Sequence, residues 1–193
     1  MTLFPMFLKL AGRSALVVGA GVVATPKIES LLQAGARVRV VAPEASETVQ
    51  QWAQDGRIEL ATKVFEPADL DNVFIAVVGT SSREVNAQAF QEARLRNILC
   101  NVVDDPEHCD FYYPAVVRRG KLQVAISTEG QSPALAQKMR LDLEEQYGPE
   151  YEQWIEHLGS ERAKLFQKDI DPEERKRLLH ELASGKPEAP NAR

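Results

Sequence analysis

A short glycine-rich loop between an apolar strand and a helix constrains the fold of this chain more than any other feature. The strand-forming run Ala15–Val18 leads directly into Gly19-Ala-Gly-Val-Val-Ala24. In this G-x-G-x-x-A arrangement the first glycine permits a tight turn, the second lets backbone approach a phosphate, and the alanine lets the helix pack close to its strand. The pattern predicts a βαβ unit whose helix N-terminus faces a bound pyrophosphate.

The residues after this loop complete the unit. Ile28, Leu31 and Leu32 have the three- and four-residue spacing of a helix face. Gly35 then stands where a C-terminal helix cap belongs, and Val38–Val41 forms a second β-branched strand. The alternative is that the glycines only shape a turn in another kind of α/β protein. The order strand, loop, helix, strand favours dinucleotide binding.

The alternation of strands and helices continues through residue 112, which is typical of a doubly wound parallel sheet of the Rossmann type. The apolar run Val73–Val78 indicates a central strand buried on both faces, and the polar loop Gly79–Ser81 follows its carboxyl end, where ligands bind in such sheets. The other elements predicted in this region are a helix over 44–56 with Val49 and Trp52 inward, a strand over 57–65, a helix over 84–96 and a strand over 98–103.

NAD is the dinucleotide that these loops favour. Glu44 lies slightly beyond the position at which an acidic residue commonly binds a ribose hydroxyl, and no arginine or lysine stands there to bind a 2′-phosphate. The predicted cofactor-binding residues are Gly19, Gly21, Val22, Val23, Ala24, Pro43, Glu44, Gly79, Thr80 and Ser81.

Beyond residue 112 the pattern changes to two short strands around Arg119-Gly120, followed by a helix that starts at Ser132-Pro133 and ends near Tyr147. We expect this part to be a small β-containing dimerisation segment followed by a C-terminal helical region. The predicted domains are a dinucleotide-binding domain over 1–112, a dimerisation and substrate segment over 113–147, a helical domain over 148–184 and a loose tail over 185–193.

Composition excludes several classes of protein. Of the 193 residues 44% are hydrophobic and 26% are charged, which is ordinary for a globular protein, and the net charge of −5 argues against a nucleic-acid partner. No apolar run reaches membrane-helix length, the N-terminus does not resemble a signal peptide, and Cys100 and Cys109 form no disulfide framework. We therefore expect a cytoplasmic protein, in which Leu3, Phe4, Met6 and Phe7 cover an edge of the core.

Five motifs in order and register resemble the siroheme synthase N-terminal family over residues 1–150. They are Phe4–Phe7, Gly19–Lys27, Val40–Pro43, Asn101–Asp104 and Ser127–Pro133. These proteins are precorrin-2 dehydrogenases, and some are also sirohydrochlorin ferrochelatases. The resemblance implies NAD-dependent oxidation of precorrin-2 to sirohydrochlorin by a homodimer, with Fe²⁺ or Co²⁺ as a further substrate where chelation occurs. Two positions depart from the family pattern, because Val22 replaces a polar residue and Pro26 replaces an arginine.

Asp104 is the predicted catalytic residue. It follows a central strand at the cofactor edge and matches the aspartate that closes the family's N-V-V-D motif. Its carboxylate would accept the proton released with the hydride. The alternative is that Asp104 caps the following turn, in which case His108 is the next candidate. No clustered His/Cys spacing predicts a resident metal site.

The substrate carries eight carboxylates, so the resemblance implies a basic cleft. Arginine binds carboxylates bidentately, and the densest basic cluster surrounds Gly120, although it could equally be a solvated hairpin tip. The loop from Ser127 to the next helix is either a substrate contact or a simple connector. The predicted substrate-binding residues are Arg118, Arg119, Lys121, Thr128 and Ser132, with Lys138 and Arg140 on the next helix.

Two other function classes compete with this interpretation. A non-catalytic NAD-sensing regulatory module would share the glycine loop, but it would lack an equivalent of residues 113–147. A short-chain reductase would need a Tyr-x-x-x-Lys pair, and Tyr112 and Tyr113 are followed at that spacing by valines.

Overall fold

The computed structural model describes residues 2–187, and these residues divide into two compact units. The first unit comprises Leu3–Tyr112. The second begins at Tyr113 and also includes Thr2. The change of pattern in the sequence after residue 112 therefore coincides with a change of structural unit.

A five-stranded parallel sheet forms the centre of the first unit. Its strands are β1 (Ser14–Val18), β2 (Arg37–Val41), β3 (Glu59–Ala61), β4 (Ile75–Val78) and β5 (Leu99–Val102), and they lie in the order β3-β2-β1-β4-β5. The connecting helices are α1 (Thr25–Gln33), α2 (Glu47–Gln54) and α3 (Arg83–Leu95), with 3₁₀ turns at Pro67–Leu70 and Pro106–His108. This architecture confirms the predicted Rossmann-type doubly wound fold.

Apolar strands at the middle of the sheet form the core of this unit. All four residues of β4 are buried, as are Leu16 and Val17 in β1. Ile28 and Leu31 of α1 are also buried. Strands covered by helices on both faces read as continuous apolar runs, which is why β1 and β4 are evident in the sequence.

The third strand is shorter than the predicted strand over 57–65. Only Glu59–Ala61 pairs, because β3 is an edge strand and its single partner, β2, ends at Val41, the residue opposite Ala61. The chain then turns, and Lys63 forms ion pairs with Glu66 at 2.6 Å and with the buried Asp69 at 3.1 Å. The apolar alternation that predicted the strand continues to residue 65, but β2 offers no partner beyond Ala61.

The helix before this strand is also shorter than predicted, since it covers Glu47–Gln54 rather than 44–56. Val49 is buried, as expected. Trp52 is only half-buried, and the Arg57 guanidinium lies over its ring at 5.2 Å from the ring centroid. The cation–π contact covers a face of the indole that the core does not.

The prediction that the apolar N-terminus covers the core is wrong. Phe4 and Phe7 are 79% and 69% exposed, Met6 is also exposed, and Leu3 is half-buried. The chain becomes fixed to the sheet later, where Arg13 N donates to Leu10 O at 2.9 Å and Gly12 N donates to Gly35 O at 2.9 Å. Leu10 is the first apolar side chain to be buried.

The outer edge of β5 is covered by the segment that follows it. Asn101 and Cys109 form an isolated antiparallel bridge. Asp110 N donates to Cys100 O at 2.8 Å, and the Asp110 carboxylate accepts a bond from Cys100 N at 3.0 Å. The backbone groups of β5 that face away from β4 are thus bound by their own chain.

An antiparallel hairpin and three helices form the second unit. The elements are β6 (Ala115–Arg119), β7 (Leu122–Ile126), α4 (Pro133–Gln146), α5 (Glu150–Gln167) and α6 (Pro172–Ser184). Ser132 caps α4, as predicted, by accepting a bond from Leu135 N at 3.2 Å. The segments 113–147 and 148–184 lie within this one unit, because α4 and α5 both pack on the hairpin. Of the predicted tail, residues 188–193 lie outside the described residues.

Candidate active site

The glycine loop after β1 is held against two neighbouring strands. Gly19 N donates to Val41 O at 2.9 Å, and Gly79 N donates to Val18 O at 2.8 Å. Gly19 has φ +106°, and a Cβ there would lie 2.9 Å from the Gly79 carbonyl carbon and closer still to its oxygen. Only glycine fits this position, because any side chain would meet backbone.

The second half of the loop is open on its outer side. A Cβ at Gly21 would meet nothing within 4 Å, and the side chains of Val22 and Val23 are exposed. Ala24 is buried beneath α1, and its N–H donates to Gly21 O at 3.1 Å. The open space above Gly21 at the start of α1 fits a pyrophosphate, which a helix N-terminus attracts.

The turn after β2 contains a residue that sequence reasoning missed. Pro43 and Glu44 are exposed at the strand end, whereas Ser46 N donates to Ala20 O at 3.0 Å and ties this turn to the glycine loop. Within residues 2–187 the buried Ser46 Oγ has no hydrogen-bond partner, although Ser46 is the N-cap residue of α2. A buried hydroxyl without a partner is costly, so this atom fits a cofactor that brings its own polar groups. In the sequence, a serine at this position indicates only an N-cap.

The loop after β4 is fixed by a second residue that was missed. Thr80 Oγ1 donates to Asn86 Oδ1 at 2.6 Å, and Asn86 Nδ2 donates to Thr80 O at 3.1 Å. Ser82 caps α3 by accepting a bond from Val85 N at 3.3 Å. The amide of Asn86 therefore holds the Gly79–Ser81 loop rigid beside the glycine loop. Because Asn86 lies within a helix, no pattern in the sequence indicates this contact.

Asp104 follows β5 at the same edge of the sheet. Its side chain is exposed and its φ is +60°, a left-handed conformation that aspartate adopts more readily than most residues. Backbone bonds close the turn that follows, from Asp105 N to Val102 O at 3.3 Å and from His108 N to Asp105 O at 3.1 Å. The turn thus has its own backbone closure, and the Asp104 carboxylate lies exposed beside it.

The loop that carries Asp104 is anchored from below. Asn101 Nδ2 donates to Phe111 O at 2.8 Å and to Cys109 Sγ at 3.2 Å. Cys109 Sγ in turn donates to Val102 O at 3.1 Å and to Asp105 O at 3.2 Å, and burial raises the pKa of this thiol. Carbonyls on both sides of Asp104 are thereby bound to one uncharged side chain, which restricts the loop.

His108, the second candidate for proton transfer, is already paired. Its Nδ1 lies 2.7 Å from Asp105 Oδ2, and the edge of its ring meets Phe90 with the ring centroids 4.9 Å apart. Asp105 is therefore the carboxylate committed to a neighbour in this loop, and Asp104 is the more accessible of the two.

The basic cluster of the second unit separates into two kinds of residue. Arg118 and Lys121 are exposed at the hairpin turn. The Arg119 guanidinium instead donates from Nε to Tyr147 O at 2.8 Å and from Nη2 to Glu144 O at 3.0 Å. These carbonyls belong to the C-terminal end of α4, so Arg119 acts as a helix cap in this structure. The prediction that Arg119 binds substrate stays a prediction.

The polar loop before α4 and the cations on that helix are also engaged. Thr128 Oγ1 accepts a bond from Ser132 N at 3.1 Å, and Ser132 Oγ caps the helix. Lys138 pairs with Asp142, and Arg140 with Glu144, each four residues on. The pair of Lys138 is exposed, and exposed pairs contribute little to stability, whereas the side chains of the Arg140 pair are partly buried.

No group of three or more His, Cys, Asp or Glu side chains that could hold a metal ion occurs among residues 2–187. Within the same residues, no helix is long and apolar enough to cross a membrane.

Comparison with known proteins identifies the family. A model described as putative NAD(P)-binding matches residues 6–115, and a second model, described as the central part of sirohaem biosynthesis proteins, matches residues 119–146. The solved structure of SirC, a precorrin-2 dehydrogenase, aligns with a TM-score of 0.79 and 33% identity over 93% of this chain and 89% of that one. The chain belongs to the siroheme synthase N-terminal family. Membership confirms both the resemblance seen in the sequence and the NAD-binding class of the first unit.

Curated siroheme synthases align along 75% to 96% of this chain. Siroheme synthase 1 of Serratia proteamaculans is 37% identical over 186 residues, which is 96% of this chain. Siroheme synthase of Photorhabdus laumondii is 44% identical over 144 residues. The chain spans 39% and 31% of the lengths of these two proteins, so it corresponds to one part of each.

Proposed function

We propose that this protein catalyses the NAD-dependent oxidation of precorrin-2 to sirohydrochlorin. The observation that carries the proposal is the exposed Asp104 carboxylate, which follows β5 at the edge of the sheet where the glycine loop begins α1. The similarity to SirC, whose name describes it as a precorrin-2 dehydrogenase, supports the same reaction. The proposed site residues are those predicted from the sequence except Arg119, together with Ser46 and Asn86.

The reaction removes a hydride and a proton from the substrate. NAD, when bound, accepts the hydride. The backbone N–H groups of the glycine loop before α1 would hold its pyrophosphate, and the loops after β1 and β4 would flank the cofactor at the sheet edge. The Asp104 carboxylate would accept the proton as a general base. The bonds from Cys109 and Asn101 restrict that loop.

Substrate carboxylates would bind to Arg118 and Lys121, which are exposed. For Arg119 we propose a structural role, because two of its guanidinium nitrogens donate to the carbonyls at the end of α4. The hydroxyls of Thr128 and Ser132 already form hydrogen bonds at the start of α4. A contact of either residue with substrate would have to form alongside these bonds. Measuring the affinity for the tetrapyrrole after substitution of each of these residues separates a substrate-binding role from a structural one.

The same carboxylate is our candidate base for a second reaction, the insertion of Fe²⁺ or Co²⁺ into sirohydrochlorin. Chelation requires removal of two pyrrole protons, and the metal would be a substrate rather than a resident ion. This proposal rests on the family resemblance. Addition of Fe²⁺ after anaerobic oxidation, followed by the loss of the sirohydrochlorin spectrum, tests it.

A homodimer and a cytoplasmic location are also proposals. Leu135 and Met139 lie four residues apart on α4, and they are 48% and 42% exposed. Apolar residues at that spacing share one helix face, which supports a contact between copies through the predicted dimerisation segment.

The test of the main proposal compares Asp104→Ala and Asp104→Asn with the wild type in anaerobic oxidation of precorrin-2 with NAD. We expect kcat to fall by roughly 10²–10⁴, the usual contribution of a general base. The Kd for NAD and the melting temperature should stay close to wild type, since backbone bonds close the turn. A stable Asp104→Ala with unchanged kcat would remove Asp104 from the mechanism and leave His108. Binding of NAD without oxidation by the wild type would favour the NAD-sensing module.

A further inference from the structure

Two adjoining clefts lie at the end of the sheet opposite the proposed active site. The larger has a volume of about 610 Å³ and the smaller one of about 440 Å³, and Asp71 and Asn72 line both. The larger cleft is also lined by the first residues of three neighbouring strands, which are Ser14 of β1, Arg37 of β2 and Glu59 of β3. Dinucleotides bind beyond the carboxyl ends of parallel strands, so a cleft at the amino ends is separate from the cofactor site.

A turn fastened by a buried carboxylate supports one wall of the larger cleft. The 3₁₀ turn Pro67–Leu70 leads directly into the two residues that the clefts share. Asp69 in this turn is only 5% exposed, and its carboxylate pairs with Lys63 at 3.1 Å and accepts a bond from Glu66 N at 2.9 Å. The Arg39 guanidinium donates to Asp69 O. The wall is thus held in place by the protein itself, which reduces the cost of ordering it around a ligand.

Three arginines line the larger cleft. Arg37 and Arg39 are two residues apart on β2 and therefore share one face of the sheet, and Arg57 belongs to the loop before β3. Arg39 is bound to the turn, and the Arg57 guanidinium lies over the ring of Trp52. Arg37 and Arg57 are exposed, and among the residues that the structure describes their guanidinium groups form no ion pair. Two charged donor groups in the cleft are therefore available to an anion.

The carboxylates in this cleft do not neutralise Arg37. Glu59 is the register partner of Arg39 in the pairing of β3 with β2, and Asp71 lies 3.9 Å from Arg96 Nε. Three arginines against two carboxylates leave a positive charge in the lining. This charge is local, because acidic residues outnumber lysine and arginine in the first unit as a whole.

We propose that the larger cleft is a second ligand site, which binds a small multivalent anion through Arg37 and Arg57. A guanidinium offers two parallel N–H donors that match a phosphate or a carboxylate group. Ser14 and Asn72 add a hydroxyl and an amide to the lining, and the volume lies within the range of small-molecule sites, about 300–1,000 Å³. The proposal does not depend on the reaction that the protein catalyses.

The first experiment titrates the full chain by calorimetry with pyrophosphate and with citrate, in the presence of excess NAD to occupy the glycine loop. Arg37→Met should raise the Kd of the bound probe by roughly tenfold or more, since bonds from a charged donor are lost. Glu59→Gln should lower the Kd, because it removes a negative charge from the cleft. The control Arg162→Met removes an exposed arginine from α5 and should leave the Kd unchanged.

The two probes distinguish the chemistry of the ligand. Binding of pyrophosphate alone identifies a phosphate site, and binding of citrate alone identifies a carboxylate site. The proposal is overturned if neither probe binds the wild type. It is also overturned if Arg37→Met and Arg162→Met weaken binding equally, since the anion then responds only to the total charge of the protein.

The second experiment locates the anion by tryptophan fluorescence, with the same probes and without NAD. The Arg57 guanidinium lies 5.2 Å from the centroid of the Trp52 ring, so an anion that binds Arg57 should change the emission of this indole. Trp52→Phe should abolish the change. Trp154→Phe is the matched control, because Trp154 stacks on His157 in α5, and it should retain the change. An emission change that persists in Trp52→Phe places the anion elsewhere and refutes the proposal.

Discussion

Gly19 and Gly21 are two residues apart in one loop, yet the structure predicts opposite consequences for their substitution. At Gly19, φ is +106° and a Cβ would collide with the Gly79 carbonyl. At Gly21, the space around a Cβ is open and φ is not positive. Gly19→Ala should therefore damage folding, whereas Gly21→Val should damage only the binding of NAD.

The size of each effect follows from these contacts. A non-glycine residue in a sparsely populated backbone region costs about 1–3 kcal/mol, and forced overpacking against backbone costs about 1–3 kcal/mol more. The free energy of unfolding of Gly19→Ala should thus fall by about 4 kcal/mol, which for a unit of this size lowers Tm on the order of 15 °C. For Gly21→Val, a clash of about 1–3 kcal/mol with the pyrophosphate raises the Kd for NAD by a factor of roughly 5 to 150.

Thermal unfolding followed by circular dichroism and NAD titration by calorimetry measure both effects on the same preparations. Gly21→Val should unfold within about 2 °C of the wild type, because the structure leaves room for its side chain. The reasoning fails if Gly19→Ala is as stable as the wild type. It also fails if Gly21→Val binds NAD with wild-type affinity, since pyrophosphate then does not approach the loop at this point.

Two further predictions concern the second unit. Arg119→Ala should lower its stability by about 2 kcal/mol, because bonds from a charged donor to the carbonyls of Glu144 and Tyr147 are lost, and Lys121→Ala, at the same turn, should be neutral in the same thermal melts. Met139→Glu should convert the proposed dimer to a monomer in sedimentation velocity while leaving the circular dichroism spectrum unchanged. A wild-type protein that is a compact monomer at micromolar concentration would contradict the dimer.

The sequence was most informative where the residues of one short segment determine its conformation by themselves. The loop from Gly19 to Ala24 requires particular residue types at particular positions, so its conformation and the strand and helix around it could be predicted. β4 was evident because a strand buried on both faces is apolar throughout. Asp104 was predicted from its position after a strand, together with the family motif.

Features that depend on residues distant in the chain could not be predicted. The bonds from Arg119, for example, require the end of α4 to lie beside the hairpin. Ser46 was passed over because a serine before a helix is ordinarily a cap, and this one makes no capping bond. The exposure of Phe4 shows that apolar character alone does not say where a segment packs.

The backbone bonds along the outer side of β5 have a consequence for how copies of this protein associate. A bare strand edge is a template onto which a strand of another molecule adds, extending the sheet. Here Cys100 and Asn101 are already bonded to Asp110 and Cys109 of the same chain, and the opposite edge offers only the three residues of β3. Strand addition therefore has little to build on at either side. The segment that follows the Asp104 turn thus leaves β5 without an open edge for a strand of another molecule.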